Sequence, residues 1–168
     1  MPGYLDTLNA KFAGTFTTCE YRDNKRIVLS AEKSPAVLFG LLQCLKETCG
    51  FDMLCDVAGI DYLHYPNATD RFCVVYAVTN TSTGERLFVK AFANDPEPEL
   101  PSVVALWKGA DWMEREVYDM YGITFPGHPD LRRILMPSEF TAYPLRKDYP
   151  LRGHGERHNF PVLNRADS

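Results

Sequence analysis

The sequence predicts an α+β fold: a mainly antiparallel sheet covered by helices, then a motif helix and an extended, proline-rich C-terminal tail. Three observations carry this prediction. Residues 51–93 read as strands separated by polar turns, and residues 34–50 repeat apolar side chains at helical spacing. Prolines crowd "NDPEPELP" and recur beyond Pro126, where no periodicity persists. On this reading residues 1–125 form an α/β body that includes the motif helix 111–121. Residues 126–168 form an extended, irregular tail, the whole being a single domain. At 168 residues the chain is long enough to bury a core of its own.

After an opening "LDTLNAKFAG", the stretch "TFTTCEYRDNKRIVLSA" predicts two short strands around an Asp23-Asn24 turn. In "SPAVLFGLLQCLKETCG", Ser34 stands as an N-cap, Pro35 at the first helical position and Gly50 past the end. Val37, Leu38, Leu41, Leu42 and Leu45 recur at helical spacing between them. "FDMLCDVAGIDYL" and "RFCVVYAVTN" follow as strands. In the second, Phe72, Val74, Tyr76 and Val78 face one way and Cys73, Val75 and Ala77 the other, so both faces are apolar and the strand is central. "ERLFVKAFA" completes an antiparallel meander, covered on one side by the Ser34 helix. Beyond the proline-rich boundary, "SVVALW" predicts a short helix. "GADWMEREVYDMYG" predicts another, with Asp111 and Glu114 in a capping-box arrangement and Gly122 as the stop.

Composition excludes several classes. Hydrophobic residues at 45% and charged residues at 24% match a soluble globular chain and argue against disorder or a fibrous repeat. The net charge of −4 is uneven, with an acidic body and a mildly basic tail whose cations are interleaved with acids, a poor track for nucleic acid. No run approaches the roughly 18–20 apolar residues of a membrane span, and the first residues lack a signal-peptide apolar region. The expected place is the cytoplasm, on a membrane-bound partner if on a membrane at all. Five cysteines, at 19, 44, 49, 55 and 73, form no C-x-x-C and match no zinc or iron–sulfur spacing; they are expected as reduced thiols packed like small hydrophobes.

Chemistry, if there is any, gathers in "WMEREVYDMYGITFPGHPDLRRILMP". Met113, Val117, Met120 and Tyr121 form an apolar stripe, and Glu114, Arg115, Glu116 and Asp119 lie off it. One reading is a solvated helix face in which Asp111–Arg115 and Arg115–Asp119 pair at i, i+4. The other is that His128, Arg132 and Arg133 fold back on the acidic helix, an arginine gripping carboxylates. Two carboxylates and a histidine are also materials for acid/base catalysis. Yet the chain has no phosphate-binding glycine loop, no G-x-S-x-G and no H-E-x-x-H. His154 and His158 have zinc-like spacing without a further ligand, and His64 reads as a surface residue.

"EREVYDMYGITFPGHPDLRRIL" resembles the signature of the thirty-kilodalton subunit family of respiratory complex I, the NADH:quinone oxidoreductase of bacteria. Glu114, Arg115 and Glu116 open the signature, Asp119 follows, His128 comes after a gap, and Arg132, Arg133, Ile134 and Leu135 close it. "YPLRKDYPL", with Arg146, Lys147 and Asp148, resembles the family's tail element; "RGHGERHNFPVLNRADS" matches nothing. The resemblance implies a non-catalytic structural and assembly subunit in the peripheral arm of a proton-translocating complex. NADH, flavin, iron–sulfur clusters and quinone are then expected on other subunits, with no catalytic, cofactor or metal residues in this chain. It implies packing chiefly against the large quinone-site subunit, indirect membrane association on the cytoplasmic side of the inner (cell) membrane, and no nucleic acid. The motif residues would fix the tail to the body and present it to that partner. Two alternatives stay open: the equivalent subunit of a membrane-bound hydrogenase or other dehydrogenase complex, and a free-standing hydrolase using Glu114 or Glu116 with His128.

Overall fold

The structure is a computed structural model and describes residues 3–156. In chain order it contains α1 (Tyr4–Phe12), β1 (Thr17–Tyr21), β2 (Asn24–Leu29), α2 (Ser34–Glu47), β3 (Met53–Asp61), β4 (Phe72–Thr79), β5 (Arg86–Ala93) and α3 (Ala110–Tyr121). The opening residues, which carry little sequence signal, form α1; its Leu8 is fully buried.

The five strands form one sheet in the order β1-β2-β5-β4-β3. β1–β2, β3–β4 and β4–β5 pair antiparallel, but β2 and β5 pair parallel, so the sheet is mixed and not the mainly antiparallel one expected. The reason is the crossover through α2. That helix carries the chain to the far edge, and two reversals bring β5 back beside β2 running in the same direction. Pairing between strands so distant in sequence leaves no local pattern.

Some local expectations shift by a residue or two. The hairpin turn is Arg22-Asp23, both at positive φ (49° and 62°), closed by the Tyr21–Asn24 pair. α2 is preceded by Lys33, not capped by Ser34. The Ser34 hydroxyl donates back to the carbonyl of Ser30 (2.9 Å) and accepts the Phe92 backbone N–H (3.0 Å), tying α2 to β5. "SVVALW" makes a single turn, not a helix, with Leu106 and Trp107 both bonding the Val103 carbonyl. The cysteines divide: Cys44 and Cys73 are buried and Cys49 half-buried, whereas Cys19 and Cys55 are exposed on edge strands. Burial pushes the Cys49 thiol up to about 11 and the Cys73 thiol up to about 12.

The helices lie on one side of the sheet, and the core sits between. Leu38, Leu41, Leu42 and Leu45 of α2 join Val74, Tyr76, Val78, Leu87 and Val89 in one cluster that also takes in Val117 of α3. α3 comes unusually close to β3 because Gly59 has no side chain: a Cβ there would stand 2.5 Å from the Tyr121 ring.

Candidate functional site

α3 is bipolar rather than amphipathic in the simple sense. Its apolar stripe packs as expected, with Val117 and Met120 buried. Two of its acids, expected off the stripe, are fully buried as well: Glu114 and Asp119. Each has a separate task, and neither belongs to a solvated face.

Glu114 points back into the body. One carboxylate oxygen accepts the Val103 N–H (2.7 Å) and the other the Ser102 hydroxyl (2.7 Å). It therefore pins the turn before the helix instead of closing a capping box with Asp111; the helix starts after Gly109 without a side-chain cap. Burial raises its pKa, and the two hydrogen bonds and nearby His128 only partly offset that.

Asp119 faces the chain that follows. Its side chain is fully buried, and Arg133 Nη1 approaches one oxygen at 2.6 Å. The other oxygen accepts three consecutive backbone N–H groups, from Ile134 (3.0 Å), Leu135 (2.7 Å) and Met136 (2.8 Å). This is a backbone nest closed around a carboxylate of the same chain. Burial acts to raise this carboxyl, but the backbone donors and Arg133 together outweigh it and hold the group below its ordinary value. One turn earlier, Arg115 donates to the carbonyls of Arg132 (3.2 Å) and Arg133 (3.3 Å). Arg115 thus grips backbone carbonyls, and neither of the i, i+4 ion pairs expected for it forms among the described residues.

The helix end adds a third anchor. Gly122 stops α3 at φ 73°, the left-handed cap expected of it. Carbonyls left open at a helix terminus need donors; Met120 receives the Leu145 N–H (3.1 Å) and Tyr121 receives Arg146 Nε (2.6 Å). Arg146 also stacks over Phe72 and Tyr143, and Arg133 over Phe140 and Tyr143, so the aromatic side chains of this segment lie under guanidinium groups.

A fourth anchor is invisible in the sequence. Asp61, at the end of β3, is buried and accepts the backbone N–H groups of Leu63 (2.9 Å) and Lys147 (2.8 Å) as well as Arg71. Arg71 reaches three carboxylates, Asp61 (3.2 Å), Asp95 (2.5 Å) and Asp148 (2.7 Å). The arginine held against several acids is therefore Arg71, not Arg115. Burial works against its charge, but the three acids raise its pKa; Asp61, in turn, is held low against its own burial, chiefly by Arg71. Asp61 and Arg71 flank a loop with no motif around them, and only their fixed positions at two strand ends bring them together.

His128 is buried against the start of α3. Its Nδ1 accepts the Asp130 N–H (3.0 Å), which assigns the proton to Nε2, facing the Asp111 carbonyl at 3.1 Å. Of the remaining motif residues, the Arg132 side chain pairs only with exposed Asp130, and Glu116 and the Lys147 side chain make no hydrogen bond or ion pair among the described residues. Ile134 is half-buried, whereas Leu135 is exposed and takes part through its backbone. His64 and His154 are exposed; His158 lies outside the described residues.

The cluster thus holds residues 128–148 against α3 and the ends of β3 and β4 at four points. Among the described residues no group of three His, Cys, Asp or Glu could hold a metal ion, and no helix is long and apolar enough to cross a membrane.

Comparison with known proteins places this cluster in context. The family model described as "Respiratory-chain NADH dehydrogenase, 30 Kd subunit" matches residues 19–155. NADH-quinone oxidoreductase subunit 5 of Thermus thermophilus is 48% identical over 111 residues, 62% of this chain and 54% of the relative. This chain therefore spans about half the length of that relative. A relative from Trichlorobacter lovleyi, likewise named as an NADH-quinone oxidoreductase subunit, is 40% identical over 151 residues, 90% of each chain. Among solved structures, a trypsin-resistant fragment of Nqo5 superposes with a TM-score of 0.63 at 35% identity, over 76% of this chain and 99% of the fragment. A chain of the archaeal membrane-bound sulfane sulfur reductase shares the fold, with a TM-score of 0.72 at 22% identity over 96% of this chain and 91% of that one.

Proposed function

Because the chain belongs to the family of the 30 kDa subunit of respiratory-chain NADH dehydrogenase, we propose that it is an assembly subunit of an NADH:quinone oxidoreductase and performs no chemistry alone. The observation that carries this reading is that Asp119 and Glu114, the two buried motif acids, are occupied by donors of their own chain. Asp119 takes four donors, all from its own chain, and Glu114 takes two. A carboxylate so occupied is a structural anchor; a general acid or base needs a lone pair or proton open to substrate. The motif therefore serves to set residues 128–148 in one conformation. That segment and the residues just after it carry exposed Leu135, Leu145 and Leu151 outward, apolar anchors for a neighbouring subunit.

The chain docks on the large subunit that helps form the quinone site, on the cytoplasmic face of the membrane, and is held there by protein contacts only. NADH, flavin, iron–sulfur clusters and quinone bind to other subunits, and the assembled complex couples electron transfer to proton translocation.

Purification of the tagged chain from native membranes in mild detergent, with subunit identification and an NADH-to-quinone assay, tests the reading. Recovery within a large NADH-oxidising assembly is expected, and Arg115→Ala should lower the amount of that assembly more than its turnover. Recovery of the parent chain alone, or normal amounts of an Arg115→Ala complex with low turnover, would overturn it.

A further inference from the structure

We propose that the sheet face opposite the helices is a second docking surface, and that its occupant is an amphipathic helix of another subunit presenting carboxylates. This rests on the assembly reading above but concerns a different surface from residues 128–148.

The alternation along the strands separates two faces. On β5, Leu87, Val89 and Ala91 point into the core and are essentially inaccessible, whereas Phe88, Lys90 and Phe92 point away and are half-buried. The registers extend this outer row across the sheet. Phe88 lies between Arg26 and Ala77, and Lys90 between Val28 and Val75. No helix among the described residues covers this side. A sheet face bearing Phe88, Phe92, Val28 and Val75 is stabilised by a second layer.

Charge identifies what that layer carries. Arg86, Lys90 and Arg26 stand on this face, and none has a carboxylate partner among the described residues. Lys90 bonds the Tyr62 hydroxyl (2.9 Å), and Arg26 stacks on Tyr21. Elsewhere among the described residues, Lys25, Arg71, Arg132, Arg133 and Arg146 have carboxylate partners. The acids near this row are Asp56, in register with Ala77, and Asp70, which shares a concavity with Lys90 and bonds Ala31 and Asn94; neither forms an ion pair with Arg26, Arg86 or Lys90 among the described residues. Four residues of strand separate Arg86 from Lys90, roughly 13 Å along β5. Carboxylates seven or eight residues apart on a helix are spaced by about 11–12 Å and meet both cations from one helix face. Two concavities bound the row. One, of about 410 Å³, is lined by Met53, Ala77 and Phe88. The other, of about 330 Å³, is lined by Tyr62, Tyr65 and Phe92. They leave room for bulky apolar side chains at the two ends of such a helix.

The test uses the intact complex in its native host. A photoreactive benzoylphenylalanine replaces Phe88 in one strain and Leu135 in another, and cross-linked peptides are identified after irradiation and purification. The expected result is a Phe88 cross-link to a single peptide of another subunit that carries Asp or Glu at helical spacing. R26E/R86E, checked for folding by its melting curve, should lower that cross-link at least tenfold, and reversing the partner's acids should restore it. A cross-link from Leu135 with none from Phe88 overturns this inference and leaves the assembly reading standing. So does a Phe88 cross-link only to a second copy of this chain or only to lipid. A chain that purifies alone overturns both.

Discussion

Asp119→Asn tests the central anchor. The substitution keeps the shape of the side chain and one carbonyl-type acceptor, which can still receive the N–H groups of Ile134, Leu135 and Met136. What it removes is charge. The 2.6 Å bond to Arg133 loses its anionic partner, and an amide NH₂ then faces a guanidinium. Hydrogen bonds to charged groups contribute about 1.5–3 kcal/mol, and breaking a buried ion pair by removing one partner costs about 3–5 kcal/mol. Arg133 keeps other contacts, to the Ala142 carbonyl and to two aromatic rings, so the loss lies toward the lower end of that range. We expect about 3 kcal/mol, which is about 150-fold in the equilibrium for local opening. Amide hydrogen exchange at Ile134, Leu135 and Met136 reads this directly, since residues 132–136 can detach while the sheet stays folded. Protection lost there by two decades, with little change in β4 and β5, is the expected pattern. Protection within about threefold of the parent chain would show that the nest is held by something other than the Asp119 charge, and the anchor argument would fall.

The other predictions follow the same geometry. Gly122→Ala must hold a Cβ at φ 73° and 2.5 Å from the Tyr143 ring; it should cost about 2–4 kcal/mol in urea unfolding, whereas Gly109→Ala, with open space and ordinary φ, should be within about 1 kcal/mol of neutral. Arg71→Ala leaves buried Asp61 with only its two backbone donors and should destabilise by about 3 kcal/mol, measured by the same assay. Asp119 and Asp61 are held below their ordinary values, so their contribution is present above the unfolded carboxylate range near pH 4 and lost only as pH falls through their lower folded values. Protection of the 134–136 amides should therefore persist through pH 4 and fail below it. Glu114 is raised, so its contribution has the opposite sign: it is full below the unfolded carboxylate range and declines as pH rises through the folded value. Glu114→Gln should accordingly improve relative to the parent chain between pH 4 and pH 7 in unfolding titrations, and no relative change would contradict the buried-carboxylate account.

Much of this fold is legible in local pattern. α2 is spelled out by its leucine spacing and Pro35, β4 by apolar alternation on both faces, and the end of α3 by Gly122, because each depends only on near neighbours and on the period of its own backbone. The family motif likewise contains Asp119 and Arg133, which the structure joins, whereas its His128 bonds instead to Asp130 and the Asp111 carbonyl. Other features depend on where the chain goes in space. The parallel β2–β5 pairing is set by the α2 crossover, and Glu114 is drawn inward by a turn twelve residues earlier rather than by its own helix. Arg71 is the arginine among acids because the ends of β3 and β4 bring Asp61 beside it and residues 145–148 return to them. Periodicity tells which side chains share a face. Which backbone donors will reach a buried carboxylate from 15 residues along the chain, or from 86, is decided only when tertiary packing excludes water and leaves that carboxylate no other partners.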